Sequence, residues 1–403
     1  MGVVVQKYGG SSVASPEKIK NVAKRVVQEK EKGNSVIVVV SAMGDTTDEL
    51  LALAKQISKN PPAREMDMLL STGEQISISL LAMAIKEFDY PVISLTGQQV
   101  GILTDSSHTK AKILKINIDR LKKELENDQI VIVAGFQGVN EFNDITTLGR
   151  GGSDTTAVAI AAAINADRCE IYTDVDGVYT ADPRIVIDAK KLKEVTYDEM
   201  LEMASLGAQV LQPRAVECAK QYGVIIHVRS SFSYEEGTAV KEACEMEKER
   251  LVSGVTCDLN TAKIAILEVP DRPGIAYKIF SALAKANINV DMIIQSIMRD
   301  NVNDISFTIS ESDADLALEI TKGVADEIGA KGVKFSKDVA KVSIVGAGMV
   351  NNPGVAATMF ETLAEEGINI QMITTSEIKI SCLIDASSAI KAVKALHKKF
   401  NLS

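Results

Sequence analysis

The chain has 403 residues, of which 46% are hydrophobic and 24% charged, a composition typical of a globular protein with two or more domains. Its formal net charge of −10 argues against a nucleic-acid partner, because nucleic-acid-binding surfaces are basic. Five cysteines without a CxxC pair and three histidines without ligand spacing do not support a disulfide framework or a metal site. With no signal peptide and no apolar run of about 20 residues evident, we expect a cytoplasmic protein without a membrane partner.

The chain opens with a predicted strand, a glycine-rich loop and a helix. Residues 3–5 form a short apolar strand, and the loop that follows contains Lys7, Tyr8, Gly9 and Gly10. This loop fits neither the GxxxxGK[ST] phosphate loop nor the GxGxxG dinucleotide pattern. A lysine beside glycines, whose backbone N–H groups can approach a ligand closely, still favours a phosphate site.

Further apolar runs predict a central sheet. They lie at residues 36–40, 92–95, 130–134, 169–172 and 224–228 and alternate with helical patterns. Each run is apolar on both strand faces, which is typical of a parallel sheet covered by helices on both sides. The sequence therefore predicts an α/β fold with a largely parallel central sheet sandwiched by helices.

A second glycine cluster lies between the run at 130–134 and an alanine-rich helix predicted at 157–165. Glycines before a helix start form an anion site, to which Arg150 adds a bidentate cation and Asp154 a carboxylate that can orient a lysine or a metal ion. A plain strand–helix turn with a helix cap remains an alternative. The cluster consists of Gly149, Arg150, Gly151, Gly152, Ser153 and Asp154.

A long loop follows the strand predicted at residues 169–172. Such loops at the carboxyl ends of strands bind ligands in open α/β sheets. Carboxylates can hold ribose hydroxyls, Tyr179 can cover a base, and Arg184 can reach phosphates. A pair of ordinary turns, Asp-Gly and Asp-Pro, would explain the same sequence. The polar residues of the loop include Thr173, Asp174, Tyr179, Asp182 and Arg184.

The C-terminal part contains an internal repeat, which follows a charged connection at residues 235–250. One copy begins near Lys263 and the other near Lys341, and each continues with a Pro-Gly turn, a helix and two strand-like runs. The pattern is β-α-β-β-α-β, which is ferredoxin-like. The last strand of the second copy is not evident, and the strand-like residues 251–258 are a candidate to complete it.

Four motifs, in order, resemble the aspartate kinases of the amino acid kinase superfamily, and the C-terminal repeats resemble ACT domains. The resemblance covers essentially the whole chain. It implies an amino acid kinase fold at residues 1–245 and two ferredoxin-like ACT domains at 262–337 and 338–403. The motifs are KYGGSSV at 7–13, STGEQ at 71–75, GRGGSDTTAVAIAAAINAD at 149–167 and TDVDGVYTADPR at 173–184.

The resemblance implies transfer of a phosphoryl group from ATP, with Mg²⁺, to L-aspartate, the first step of lysine, threonine and methionine biosynthesis. Lys7 and Asp154 would be catalytic. Glu74, in a segment that we predict to begin a helix, would hold the substrate ammonium group, and Arg150 its α-carboxylate. The other substrate contacts would be Ser41, Thr47, Gly151, Gly152 and Ser153, and the nucleotide contacts Lys7, Tyr8, Gly9, Gly10, Thr173, Asp174, Tyr179, Asp182 and Arg184.

The resemblance also implies feedback inhibition by threonine or lysine, bound between repeats that share an eight-stranded sheet within one chain or between two. It implies a homo-oligomer formed through the ACT domains, with a shorter regulatory chain if translation also starts at Met246. The regulatory residues would be Asp271, Gly274, Ala276, Gln295, Asn369, Ile370, Thr375 and Ser376.

Two alternatives stay open from the residues. A kinase of N-acetylglutamate or of a glutamyl group would share the glycine loops, but it would lack the KYGGSS and STGEQ pairing and the tandem repeat. A non-catalytic amino-acid sensor would need the repeats but not Lys7 and Asp154. A NAD-linked dehydrogenase does not fit, because the Rossmann glycine spacing is missing.

Overall fold

The computed structural model describes residues 2–207, 210–242, 251–297, 301–349 and 352–403. The chain divides into two compact units. The first contains residues 1–178, 191–205 and 209–245, and the second contains residues 179–190, 206–208 and 246–403. The candidate internal start, Met246, lies outside the described residues.

The first unit is built of alternating strands and helices. Its strands are β1 (Val3–Tyr8), β2 (Ser35–Val40), β3 (Val92–Leu95), β4 (Ile102–Thr104), β5 (Ile113–Ile116), β6 (Ile130–Ala134), β7 (Gln137–Val139), β8 (Ile145–Thr147), β9 (Arg168–Thr173), β10 (Glu194–Thr196), β11 (Ile226–Ser230) and β12 (Thr238–Lys241). Its helices are α1 (Pro16–Glu31), α2 (Thr46–Ile57), α3 (Ala63–Lys86), α4 (Gly97–Val100), α5 (Asp119–Glu126), α6 (Gly152–Ile164), α7 (Tyr197–Ser205) and α8 (Pro213–Tyr222).

Eight of these strands form the central sheet, in the order β10-β12-β11-β9-β1-β2-β6-β3. Its strands pair in parallel, except for the antiparallel pair of β11 and β12. Residues 36–40 of β2 and 130–134 of β6 are fully buried. Runs of β-branched residues suit strands that helices cover on both faces, so the prediction of a largely parallel, helix-covered sheet is confirmed.

Helix α3 begins earlier than the sequence suggests. It starts at Ala63, so the segment 71–75 lies inside the helix and the predicted helix start there is wrong. Gly73 is tolerated inside the helix because a Cβ atom at this position would lie 2.8 Å from the Cβ of Ala42. Close packing, not a helix end, therefore explains this glycine.

A hairpin separates β6 from the second glycine cluster. Strands β7 and β8 pair antiparallel and join a small sheet of order β5-β4-β7-β8, so the cluster follows β8 and not the buried strand directly. Helix α6 begins at Gly152, five residues before the predicted start. The charged connection also contains an unexpected strand, β12, whose Thr238 and Val240 are buried.

Among the described helices, α3 has the length and hydropathy to cross a membrane, contrary to the expectation of no such apolar run. Of its most apolar window, 44% is buried within the structure. Its buried face carries the carboxyl groups of Asp67 and Glu74. These features are typical of a core helix in a globular unit.

The second unit contains the repeats. The first repeat consists of β14 (Thr261–Pro270), α9 (Ile275–Lys285), β15 (Val290–Gln295), β16 (Val302–Ser310), α10 (Ala314–Ile328) and β17 (Gly332–Ser336). The second consists of β18 (Val339–Val345), α11 (Val355–Glu365), β19 (Met372–Thr375), β20 (Lys379–Asp385) and α12 (Ala389–Lys399), and the strand β13 (Gly254–Asp258) precedes both.

Each repeat has its own four-stranded antiparallel sheet. The sheet orders are β15-β16-β14-β17 and β13-β18-β20-β19, so β13 takes the place in the second sheet that β17 has in the first. Within the described chain the two sheets are not joined by strand pairing, and the expectation of a shared eight-stranded sheet inside one chain is wrong. The ferredoxin-like order of both sheets confirms the predicted fold class.

The two repeats contact each other through equivalent positions. Met292 of the first repeat and Met372 of the second belong to one small apolar cluster. Lys341 Nζ bonds to the carboxylate of Asp291, and Lys263 Nζ donates to Gln371 Oε1 at 3.3 Å. Each lysine begins the pattern of its own repeat and reaches the second strand segment of the other, so the packing has approximate two-fold symmetry.

Candidate active site

The carboxyl ends of β9, β1, β2 and β6 meet at one edge of the central sheet. The backbone links these ends directly, because Ser41 N donates to Tyr8 O at 3.1 Å and Gly135 N donates to Val40 O at 3.0 Å. Ligands of open α/β sheets bind at this edge, where the loops leave the strands. The first and second predicted glycine loops both lie here.

Lys7 and Asp154 form a short ion pair at this edge. Lys7 Nζ lies 2.6 Å from Asp154 Oδ1, and the two side chains are 12% and 9% exposed. Lys7 comes from the end of β1 and Asp154 from the first turn of α6. A cation fixed by a carboxylate and still partly exposed can contact a second anion, such as a phosphate.

The loop after β1 approaches the loop after β2 closely. A Cβ atom on Gly10 would lie 2.8 Å from the carbonyl oxygen of Ala42, and Gly44 N donates to Gly10 O at 3.1 Å. The side chain of Tyr8 is fully buried and stacks on Tyr172 with ring centroids 4.6 Å apart. A ligand can therefore reach only the backbone of Tyr8, while Gly9 leaves the space beside Lys7 open.

The second glycine cluster places a cation beside the start of α6. Gly151 adopts φ = 68° at the N-cap position, where a Cβ atom would lie 1.8 Å from Cγ of Gln212. Ser153 packs so tightly that a Cβ atom on Gly135 would lie 2.7 Å from its Oγ. Arg150 is exposed. Backbone N–H groups at a helix start and a guanidinium together suit a carboxylate or a phosphate.

Glu74 is a buried acid whose two carboxylate oxygens differ in their hydrogen bonding. Its side chain is on the buried face of α3, and Oε1 accepts a hydrogen bond from Ala42 N at 3.1 Å. Oε2 is buried and has no hydrogen-bond partner in the described part of the chain. Burial raises the pKa of Glu74 to about 8, against the lowering effect of its backbone hydrogen bonds. An unpaired buried carboxylate oxygen is costly, so this site favours a cationic ligand group.

The other predicted substrate and nucleotide positions are divided between the two units. Ser41 follows β2 directly and Thr47 lies in the first turn of α2. Thr173 ends β9, and its Oγ1 donates to Asp174 Oδ1 at 3.0 Å. The remaining loop residues, Tyr179, Asp182 and Arg184, belong to the second unit.

Inside the second unit, Arg184 Nη2 and Asp182 Oδ2 form an ion pair at 2.7 Å. Hydrogen bonds from Arg184 hold the pKa of the Asp182 carboxyl below its usual range. Thr180 Oγ1 lies 2.9 Å from His397 Nε2 and donates to Leu402 O at 3.1 Å. Contacts with the C-terminal residues thus anchor this loop within its unit.

The predicted regulatory residues lie in the second unit at the ends of its elements. Gly274 adopts φ = 91° at the N-cap of α9, and Asp271 Oδ1 accepts a hydrogen bond from Asn303 Nδ2 at 3.4 Å. Ser376 N donates to Lys379 O, and Ile370 packs against the core of the second repeat. The exposed members are Asp271, Gly274, Ala276, Gln295, Asn369, Thr375 and Ser376.

Ser231 is a further candidate functional residue at this edge of the sheet. The sequence patterns do not single it out. Ser231 Oγ lies 2.5 Å from Ser12 Oγ, and Ser231 N donates to Thr173 O at 2.9 Å. Arg25 fixes the same loop by donating to Ser230 O at 3.1 Å. The sequence signal that points to Ser231 is its position after β11, a parallel neighbour of β9.

Two family models match parts of the chain. The family model for the amino acid kinase family matches residues 2–230. A model for the ACT domain matches residues 267–322 and 342–400. A kinase family thus accounts for more than half of the chain, and the repeats belong to a separate domain family.

Individual proteins match along the whole chain. The aspartokinase of Bacillus sp. (strain MGA3) is 53% identical over 403 residues, covering 100% of this chain and 98% of that protein. The crystal structure of E. coli aspartokinase III in complex with aspartate and ADP (R-state) has a TM-score of 0.81 and 27% identity, covering 98% of this chain and 99% of that one. The complex of that enzyme with lysine and aspartate (T-state) has a TM-score of 0.77 and 27% identity, covering 99% of each chain. This chain belongs to the aspartokinases of the amino acid kinase family.

Proposed function

We propose that this enzyme transfers the γ-phosphoryl group of ATP to the side-chain carboxylate of L-aspartate, giving 4-phospho-L-aspartate and ADP in the cytoplasm. The observation that carries the proposal is Glu74, whose buried Oε2 has no hydrogen-bond partner among the described residues and suits the ammonium group of a free amino acid. An N-acetylated substrate has no such group. This difference favours aspartate over the substrate of the related acetylglutamate kinases.

The phosphoryl transfer needs positioning and charge neutralisation. The aspartate side chain, with an ordinary pKa of about 3.9, is already an anionic nucleophile at neutral pH, so no general base is required. One of its oxygens forms the new bond to the γ-phosphorus as the bond to the β,γ-bridging oxygen breaks. Lys7, with N–H groups of Gly9 and Gly10, neutralises the charge on the transferring group, and Asp154 orients Lys7.

The two α-substituents of aspartate, which do not react, fix its orientation. Glu74 accepts from the ammonium group, and the guanidinium of Arg150 binds the α-carboxylate. Backbone N–H groups at the start of α6 add donors for the same anion. We assign Ser41, Thr47, Gly151, Gly152 and Ser153 as the further aspartate or phosphate contacts.

The nucleotide enters as its Mg²⁺ complex. Mg²⁺ is held largely by phosphate oxygens and water and needs only one or two protein carboxylates. The described residues contain no group of three or more His, Cys, Asp or Glu that could form a metal site. Asp154 would face groups bound to the ion. The nucleotide contacts we propose are Lys7, Tyr8 through its backbone, Gly9, Gly10, Thr173, Asp174, Tyr179, Asp182 and Arg184.

Hydroxamate formation tests the proposed activity. The enzyme should give aspartyl hydroxamate from ATP, L-aspartate and hydroxylamine, and none with N-acetylglutamate in place of aspartate. Product from N-acetylglutamate, or none from either substrate, would contradict the proposal.

Replacing Arg150 with alanine should raise KM for aspartate by about 30-fold and change KM for ATP little. A bidentate charged hydrogen bond contributes roughly 1.5–3 kcal/mol, and Arg150 is proposed to hold a group of aspartate alone. Steady-state kinetics with each substrate varied in turn measure both constants. An equal rise in the two constants would make Arg150 a nucleotide contact.

We also propose that the repeats are regulatory ACT domains, at residues 262–337 and 338–403 with the strand at 251–258 completing the second, attached to a catalytic domain at 1–245. They would bind lysine or threonine and join the chains of a homo-oligomer, which a shorter regulatory chain starting at Met246 could also enter. The residues proposed to bind the zwitterion offer the carboxylate of Asp271 and backbone N–H groups in the first turn of α9, which follows Gly274. An effector that binds one packing of the repeats more tightly shifts the enzyme toward that packing.

Asp271→Ala and Ser376→Ala should each weaken inhibition, raising the effector concentration for half-inhibition by about tenfold, as expected for one charged or polar contact. Kinase assays with lysine and threonine, singly and together, measure the effect. Partly exposed Ser281, which lies on α9, provides a control as Ser281→Ala. Wild-type activity that ignores both amino acids, or variants that stay equally inhibited, would show that this regulatory site is wrong.

A further inference from the structure

Thr109 has a strained backbone near the candidate active site. It adopts φ = 67°, the left-handed region, which is a genuine outlier for a β-branched residue. Such strain is unfavourable and persists only where surrounding contacts impose it.

One buried carboxylate holds this segment. Asp67, on α3, is fully buried, and its Oδ1 and Oδ2 accept from Thr109 N at 3.0 and 3.1 Å. His108 Nδ1 donates to Oδ2 at 2.6 Å, because a carboxylate can only accept, and Thr147 Oγ1 donates to Oδ1 at 2.5 Å. Asp67 thus ties the segment 108–109 and the end of β8 to α3.

The strained residue supports the turn that carries Arg150. Gly149 adopts φ = 77°, and a Cβ atom there would lie only 3.1 Å from the carbonyl oxygen of Thr109. The same turn is fixed elsewhere by Arg214, which donates to Leu148 O at 2.7 Å. The backbone that precedes Arg150 therefore rests against a segment whose conformation depends on Asp67.

Asp67 and Glu74 lie seven residues apart on the buried face of α3. Seven residues are about two helical turns, or roughly 10 Å along the axis. One rigid helix thus carries both the acid proposed to bind the aspartate ammonium group and the acid that anchors the turn with the carboxylate-binding arginine. The distance between the two recognition groups is then set by α3.

We propose that Asp67 is a positioning residue for substrate recognition: through strained Thr109 it fixes the Gly149 turn, and with it Arg150, at the distance from Glu74 that matches the α-carboxylate and ammonium groups of aspartate. Asp67 does not touch substrate. The inference rests on the proposed roles of Arg150 and Glu74, and it adds a residue outside the glycine loops to the determinants of amino-acid specificity.

Asp67→Asn tests the proposal, because it keeps the size of the side chain but turns an amide N–H₂ toward donors. KM for aspartate should rise about tenfold, the loss of roughly one charged hydrogen bond, while KM for ATP stays within about twofold. Adding Thr109→Gly should recover part of the aspartate affinity, because glycine adopts positive φ without an anchor. Should Asp67→Asn not fold, Thr147→Val, which removes one donor to the same carboxylate, should shift KM for aspartate in the same direction.

Glu29→Gln is the matched control. Glu29 is also a buried acid that ties segments together, accepting from Lys32, Asn34 and Arg168, but it lies at the end of α1 away from the glycine loops. It should lower Tm without moving KM for aspartate. If Asp67→Asn only lowers Tm, or raises both KM values equally, the positioning role is wrong. Arg150→Ala distinguishes a failure of the positioning role of Asp67 from a failure of the proposed function. An unchanged KM for aspartate in this variant would contradict the proposed function itself.

Discussion

Replacing Lys7 with alanine is expected to lower kcat by at least about 100-fold, comparable with the loss of one preorganised electrostatic donor. Lys7 Nζ is held 2.6 Å from Asp154 and remains 12% exposed. Its position is therefore fixed before the phosphoryl group arrives, and its charge is fully used only as charge develops in the transition state. The variant also leaves the carboxylate of Asp154 unpaired beside an anionic substrate, which opposes binding further.

Lys30→Ala is a close control for this experiment. Lys30 forms an ion pair with Asp128, also at 2.6 Å, and its side chain is 11% exposed, but it lies in the last turn of α1. The two variants remove equally buried, equally paired lysines, and only Lys7→Ala should affect turnover. Near-native kcat for Lys7→Ala, with Tm shifts alike in both, would remove Lys7 from the catalytic set.

The central strands could be predicted because their sequences suit a single environment, the interior of a sheet that is covered on both faces. The apolar runs at 36–40, 92–95 and 130–134 correspond to β2, β3 and β6. Runs of Val and Ile that are apolar on both faces suit only a strand covered on both sides. The repeat in the C-terminal part could also be predicted, because the two copies share the order of their first five strands and helices.

The position of Glu74 could not be predicted from local signals. Ser71 and Gly73 are residues that favour helix ends, but α3 begins at Ala63. A glycine there is explained by its contact with Ala42, which is far away in sequence. Tertiary packing thus overrides propensity, and burial, not a helix terminus, determines the charge state of Glu74.

The small sheet and its contacts could not be predicted from the sequence for a related reason. Strands β7 and β8 have three residues each, too few to show a period of two. The bonds of Asp67 to the segment 108–109, and that of Ser12 to Ser231, join residues that are 41 to 219 positions apart. No local pattern encodes such pairs, so the supporting contacts of the site emerge only from the structure.

Replacing Glu74 with glutamine is expected to raise KM for aspartate by about 100-fold with little change in KM for ATP. A charged hydrogen bond contributes roughly 1.5–3 kcal/mol. The amide of glutamine also carries an N–H₂ donor, which would face the ammonium group, itself a donor. Steady-state kinetics with each substrate varied give the two constants. A small or equal effect on both would mean that the ammonium group of aspartate binds elsewhere.

The pH dependence gives a second, independent readout. Burial raises the pKa of Glu74 to about 8, so in the free enzyme the carboxyl is mostly protonated at neutral pH. The proposed contact with the ammonium group needs the ionised form, so KM for aspartate should fall as pH rises toward about 8 and then level off. In Glu74→Gln this dependence should disappear, whereas a pH profile identical to that of the wild type would exclude Glu74 as its source.

Stability should change in the opposite sense from affinity. Because the folded pKa of Glu74 lies above its ordinary value of 4.5, the folded protein binds more protons than the unfolded chain between those pH values. The free energy of unfolding therefore falls as pH rises through this window, and Glu74→Gln, which cannot ionise, should have the higher Tm near about pH 9.

Glu170 supplies the matched control of opposite sign. It is also buried, but hydrogen bonds from Gln6 and Arg168 and the nearby charges of Arg168 and Arg229 outweigh burial and bring its pKa below the ordinary value. Its carboxylate stabilises the fold above about pH 4.5, so Glu170→Gln should lower Tm at neutral pH. Glu170, whose carboxylate stabilises the fold, and Glu74, which we propose to bind substrate, should thus respond oppositely to the same substitution. Equal losses of Tm in both variants near pH 9 would show that Glu74 is satisfied within the protein and is not reserved for a ligand.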